Sequence, residues 1–212
     1  MQDFAVARRA MVDSQLRPEG VADAAVVNAL ANLPREKFVP AAARALAYGD
    51  RPVPLGNGRL LTPPAVIGRL LSELEPRSGE RALVVGAGSG YSAALLHSLG
   101  LAVTAVESDP ALLALARAAG PGIDVIEGDF SRGYPAAAPY DIILIDGAVE
   151  HIPEAITAQL VEGGRIAAAL DDCGVTRLAV GRNAGGRVGL RTIADAEVGR
   201  LPGFKRPTAF TF

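Results

Sequence analysis

The stretch Leu83-Val84-Val85-Gly86-Ala87-Gly88-Ser89-Gly90-Tyr91 constrains the fold of this chain more than any other. An apolar, β-branched run passes into glycines at alternate positions and then into a helix-forming segment. The next apolar run, Val103-Thr104-Ala105-Val106, ends on an acid, Glu107. A strand, a glycine turn, a helix and a strand closed by a carboxylate make the arrangement that grips a nucleotide-type cofactor. Gly86 lets the chain turn sharply, and Gly88 lets the backbone approach a ligand where a Cβ would clash. The following helix can aim free N–H groups at an anionic group. Glu107 is placed to accept two hydrogen bonds from a ribose. A dinucleotide site usually reads G-x-G-x-x-G. Here Gly90 comes one position early, which favours S-adenosylmethionine over NAD.

The rest of the chain supplies the frame for such a turn. From Arg81 onward, strands and helices alternate: strands over 81–85, 102–106, 123–126, 140–145 and 165–170, and helices over 91–99, 110–119 and 153–160. That alternation predicts right-handed crossovers and a parallel sheet covered on both faces. Val175–Gly181 and Arg187–Thr192 flank Asn183-Ala184-Gly185-Gly186 and read as a terminal antiparallel hairpin. Before the sheet, the chain reads as helical up to about Pro40, with Asp23 capping one helix. Tyr48–Arg59, with Pro52, Pro54, Gly56 and Gly58, reads as an irregular loop, and Thr62-Pro63-Pro64 opens another helix. The 212 residues are half apolar with a net charge of −2, so a sizeable core is expected and duplex nucleic acid is a poor partner. The single cysteine, Cys173, excludes an internal disulfide and fits a reducing compartment. With no apolar run of membrane length and no signal-peptide pattern, a soluble, cytoplasmic chain without a membrane partner is expected.

Several further stretches, in order, carry a resemblance. They are Pro34-Arg35-x-x-Phe38-Val39-Pro40, Tyr48-x-Asp50-Arg51-Pro52-Val53-Pro54-Leu55-Gly56-x-Gly58, the glycine turn, Glu107, Gly128-Asp129 and Gly163-Gly164-Arg165. Together they resemble the protein-L-isoaspartate O-methyltransferases over about Met11–Leu170, and the tail from Leu201-Pro202-Gly203-Phe204 to Phe212 looks like a divergent bacterial branch. The resemblance implies an α/β fold of the class I methyltransferase type: a doubly wound, mostly parallel seven-stranded sheet with a C-terminal antiparallel hairpin and N-terminal helices. It divides the chain into a helical, substrate-side region over 1–62 and a methyltransferase domain over 63–212. The implied reaction moves a methyl group from S-adenosylmethionine to the α-carboxylate exposed at an isoaspartyl residue. The ester then collapses to a succinimide that can reopen as aspartate, so isoaspartyl-containing proteins or peptides are the implied partners.

Carried over residue by residue, Gly86, Gly88, Ser89 and Gly90 line the cofactor, Glu107 holds its ribose and Asp129 its adenine. The hydroxyl that touches the reacting carboxylate falls on Thr62. No metal is implied. The chain departs from the family where an acid usually stands two residues before the first glycine, at Val84. It departs again where Ser-Gln-Pro is replaced by Thr62-Pro63-Pro64, preceded by Arg59-Leu60-Leu61. Thr62 before a proline also reads as a helix N-cap. Asp146, Glu150 and His151 fall at the strand end that faces a cofactor, and Asp146 and His151 are candidates for contact with the acceptor. Val84 and Thr62-Pro63 keep open a catalytically impaired homologue that acts by binding. The cluster ending in His151 keeps open a small-molecule acceptor.

Overall fold

The computed structural model describes residues 3–118 and 122–206. Ala119 of the expected helix over 110–119, and the last six residues of the tail, lie outside them. The chain opens with α1 (Phe4–Met11), which Asp3 caps by accepting from the Ala5 and Val6 N–H groups, and runs on through a wide turn over Val12–Leu16. Helix α2 (Ala24–Asn32) is capped by Asp23 as its sequence suggests.

Val53–Gly56 (β1) and Arg59–Leu61 (β2) then form a small antiparallel hairpin rather than the expected irregular loop. Asn57 and Gly58 both adopt positive φ between the strands, which suits a two-residue turn. Pro54 is tolerated because it lies exposed on a strand of a two-stranded ribbon.

Helix α3 (Pro64–Leu74) follows, and its N-cap is Pro63, with no side-chain capping bond. The capping role expected of Thr62 is therefore not taken. Its hydroxyl points instead to Asp146.

The alternation then unfolds as expected: β3 (Arg81–Val85), α4 (Tyr91–Ser98), β4 (Ala102–Glu107), α5 (Pro110–Ala118), β5 (Ile123–Glu127), β6 (Tyr140–Val149), α6 (Glu154–Thr157), β7 (Leu160–Asp172), β8 (Val175–Ala184) and β9 (Arg187–Asp195). The expected helix over 153–160 shrinks to the single turn of α6. The chain is already in β7 at Leu160, beside Tyr140. Strand order is β5-β4-β3-β6-β7-β8-β9. The pairs from β5 to β7 are parallel, and β8 and β9 add the antiparallel hairpin.

This is the seven-stranded, doubly wound fold read from the sequence. Strand order reverses between β3 and β6, the switch point at which such sheets bind ligands. Alternate residues of β3 serve two cores: Ala82 and Val84 pack with residues of the N-terminal helices and α3. Leu83 and Val85 pack on the other face with Phe130, Leu201 and Phe204. No helix among the described residues is long and apolar enough to cross a membrane.

Candidate active site

The β3–β4 register sets Val85 beside Val106, so the glycine turn and Glu107 emerge side by side at the carboxyl edge. Gly86 and Ala87 both donate to the Val106 carbonyl at 3.0 Å. The positive φ of Gly86, Gly88 and Gly90 (77°, 57° and 89°) requires glycine at all three positions. Glu107 is fully buried. Its Oε2 accepts from the Gly88 N–H at 2.6 Å, and its Oε1 accepts from Ser108 and Asp109 at 2.9 and 3.0 Å.

Arg59, from β2, completes the shell of that carboxylate. Its Nη1 donates to both Glu107 oxygens at 2.9 and 3.2 Å, and its Nη2 donates to the Gly86 carbonyl at 3.2 Å. The guanidinium lies 5.2 Å from the centre of the Phe130 ring. Leu201 covers the first glycine: a Cβ on Gly86 would fall 2.6 Å from Leu201 Cδ1. The residues therefore have the chemistry to hold an adenosyl group, a glycine turn beside a backbone-braced acid. In this structure a cation sits on the acid and a leucine on the glycine.

A second group of side chains lies at the end of β6. The Thr62 hydroxyl donates to Asp146 Oδ1 at 2.5 Å across 84 residues of chain. Burial pushes the Asp146 carboxyl above its ordinary range, against the pull of the Thr62 hydroxyl and the Arg59 and Arg35 charges. Arg35 is fully buried and holds the strand–helix junction: it donates to the Ala47 carbonyl at 2.7 Å and to the Thr62 carbonyl at 2.6 Å. Its guanidinium lies 4.8 Å from the Tyr91 ring centre, at the start of α4. Ser89 is buried, and its Oγ has no partner among the described residues.

The remaining candidates lie outside these two groups. Asp129 is exposed and accepts from the Ser131 N–H at 2.9 Å, closing a short turn. His151 and Glu150 hold the tail. His151 Nδ1 is 3.2 Å from the Phe204 carbonyl, and Glu150 accepts from the Arg206 N–H at 2.9 Å. Just before that, Leu201 donates to the Ala148 carbonyl and Ala148 donates to the Gly199 carbonyl, both at 2.8 Å. A cavity of about 360 Å³ opens beside this tail, lined among others by Arg59, Ala148, Glu150, Asp171, Leu201 and Phe204. No cluster of His, Cys, Asp and Glu among the described residues could hold a metal ion.

The structure thus joins Gly86, Gly88 and Glu107 in one contact and Thr62 with Asp146 in another. Arg59, Arg35 and Leu201 carry no role in a reading of the sequence alone. No sequence pattern marks Arg59, since its Pro/Gly-rich segment also holds Arg51. Leu201 and Phe204 stand in a tail that also holds Phe210 and Phe212, so apolar character alone does not single them out.

Comparison with known proteins gives one answer. Residues 7–191 match the family described as protein-L-isoaspartate(D-aspartate) O-methyltransferase. A protein-L-isoaspartate O-methyltransferase of Methanoculleus marisnigri is 42% identical over 166 residues, 76% of each chain. One from Methylorubrum extorquens is 45% identical over 168 residues, covering 77% of this chain and 74% of that one. Among solved structures, a putative protein-L-isoaspartate O-methyltransferase from Plasmodium falciparum, in complex with S-adenosyl-L-homocysteine, superposes with a TM-score of 0.80. At 18% identity, covering 92% of this chain and 97% of that one, this likeness is one of fold.

Proposed function

The chain belongs to the protein-L-isoaspartate(D-aspartate) O-methyltransferase family, and from that premise we propose which of its residues carry the family's reaction. The reaction is S-adenosylmethionine-dependent methylation of isoaspartyl residues in protein repair. Gly86, Gly88, Ser89 and Gly90 form the donor side, with Glu107 for the ribose and Asp129 for the adenine. Thr62, Asp146 and His151 form the acceptor side. The observation that carries this assignment is the 2.6 Å bond from Gly88 N–H to Glu107, which holds the glycine turn and the acid as one unit at the sheet's switch point.

The donor, when bound, supplies an electrophilic methyl group on a positively charged sulfur. An acceptor carboxylate is already ionised at neutral pH, so no side chain has to remove a proton. What the chain must do is orient the acceptor and keep water out. Arg35, gripping the Thr62 carbonyl, holds the Thr62 hydroxyl at the edge of the site. Turned from Asp146, that hydroxyl donates to the acceptor carboxylate. Burial pushes the Asp146 carboxyl beside it above its ordinary range. The partners are isoaspartyl-containing proteins or peptides. An exposed single cysteine suits a cytoplasmic setting.

The experiment is methyl transfer from labelled donor to an isoaspartyl peptide, against its aspartyl twin. The expected result is label in the first alone, with Thr62→Val lowering kcat by about tenfold or more and Thr62→Ser retaining most of it. Equal labelling of both peptides would overturn the acceptor assignment.

A further inference from the structure

Glu107 and the glycine turn, read above as the donor seat, are already filled by the chain itself. Arg59 makes two hydrogen bonds to the Glu107 carboxylate, as many as a ribose diol would make there. Leu201 lies against Gly86, where the missing Cβ leaves space. Both residues also line the 360 Å³ cavity, while none of Gly86, Gly88, Gly90 and Glu107 does. Arg59 and Leu201 are therefore the wall between an open cavity and the glycine turn. They come from two segments that touch: Gly199 packs so closely on β2 that a Cβ there would fall 2.8 Å from Leu60 Cβ.

We propose that Arg59 and Leu201 are a gate that sets donor affinity, and that S-adenosylmethionine reaches Glu107 only when Arg59 leaves it. This rests on Glu107 and the glycine turn being the donor seat. Glu107 can release Arg59 because three backbone N–H groups stay on it. Arg59 can leave because it already lines an open cavity on the side away from Glu107. The open form is a minor population, so apparent donor affinity falls by the fraction open.

The test is calorimetric titration of S-adenosylhomocysteine into the wild-type chain, Arg59→Gln and Leu201→Ala, with circular dichroism to show that each is folded. Arg59→Gln is expected to bind about ten- to a hundredfold tighter than wild type, and Leu201→Ala tighter by a smaller factor. A folded Arg59→Gln that binds no tighter overturns the gate. If it does not fold, Leu201→Ala decides, and no gain there overturns the gate. Two failures are told apart by the wild type. If it binds, methylates the isoaspartyl peptide and gains nothing from either substitution, the donor seat stands and the gate falls. If no form binds, the donor seat falls and takes the gate with it.

Discussion

Two arginine–glutamate pairs stand at opposite edges of the same sheet, and they are built differently. At the amino edge, Arg165 of β7 meets Glu80 with two parallel bonds, Nη1–Oε1 at 2.9 Å and Nη2–Oε2 at 2.6 Å. Its other N–H groups close the end of α3, donating to the Leu74 and Glu75 carbonyls at 2.7 and 3.0 Å. Those carbonyls would otherwise be among the unpaired ones a helix leaves at its C-terminus. At the carboxyl edge, Arg59 reaches Glu107 through one nitrogen shared between two oxygens, on a carboxylate the backbone already satisfies. Residue types are alike in the two pairs, while Glu80 keeps some exposure and Glu107 has none. What differs is how much else depends on the arginine: Arg165 is a lock, because removing it leaves Glu80 with the Arg77 N–H alone and strands two carbonyls. Arg59 is displaceable, because removing it strands one carbonyl and leaves the acid braced.

The largest effect expected from this contrast is at the lock. Arg165→Ala should cost about 3–5 kcal/mol in denaturant unfolding, and a loss under about 1 kcal/mol would erase the distinction. Burial pushes Glu80 up, but the Arg165 hydrogen bonds and charge and the Arg77 N–H outweigh it and hold the carboxyl below its ordinary value of 4.5. A lowered folded value gives stability that is present above the unfolded pKa and lost as pH falls through the folded one. The gap between wild type and Arg165→Ala should therefore narrow below about pH 4.5, read as the midpoint difference across a pH series.

A smaller effect is expected at the other edge. Arg59→Gln should cost only about 1 kcal/mol in the same measurement, since three backbone N–H groups still brace Glu107 once the guanidinium is gone. A loss equal to that of Arg165→Ala would make the two pairs the same kind of object. The smallest effect concerns Asp146. Its raised pKa gives stability that is complete below the unfolded value of 3.8 and lost as pH rises through the folded one. Asp146→Asn should raise the thermal midpoint by a few degrees at pH 7.5 and leave it nearly unchanged near pH 4. A drop at both pH values would make the Thr62–Asp146 bond a structural one.

The contrast also shows what a sequence makes legible. The glycine turn, Glu107 and the alternation of strands and helices are local patterns, so the sheet and its switch point could be read directly. The Asp23 cap was legible for the same reason. The β1–β2 hairpin was hidden because Pro52, Pro54, Gly56 and Gly58 outweigh a short β-pattern, although a two-stranded ribbon accepts proline. Thr62 reads as a cap from its neighbours, yet it bonds to Asp146, 84 residues away. Arg59 lies 48 residues from Glu107 and 27 from Gly86, and no periodicity links positions that meet only through tertiary packing. Features that the backbone builds locally are legible, and contacts made by distant side chains are not.

The close approach of Gly199 to Leu60 gives the molecule a mechanical linkage. With no side chain on Gly199, the terminal segment lies directly against Leu60 of the ribbon. A bulkier residue at that one point would act as a wedge, prising both away from the sheet together. The smallest residue in the tail thus decides whether the two halves of the closure move as one body.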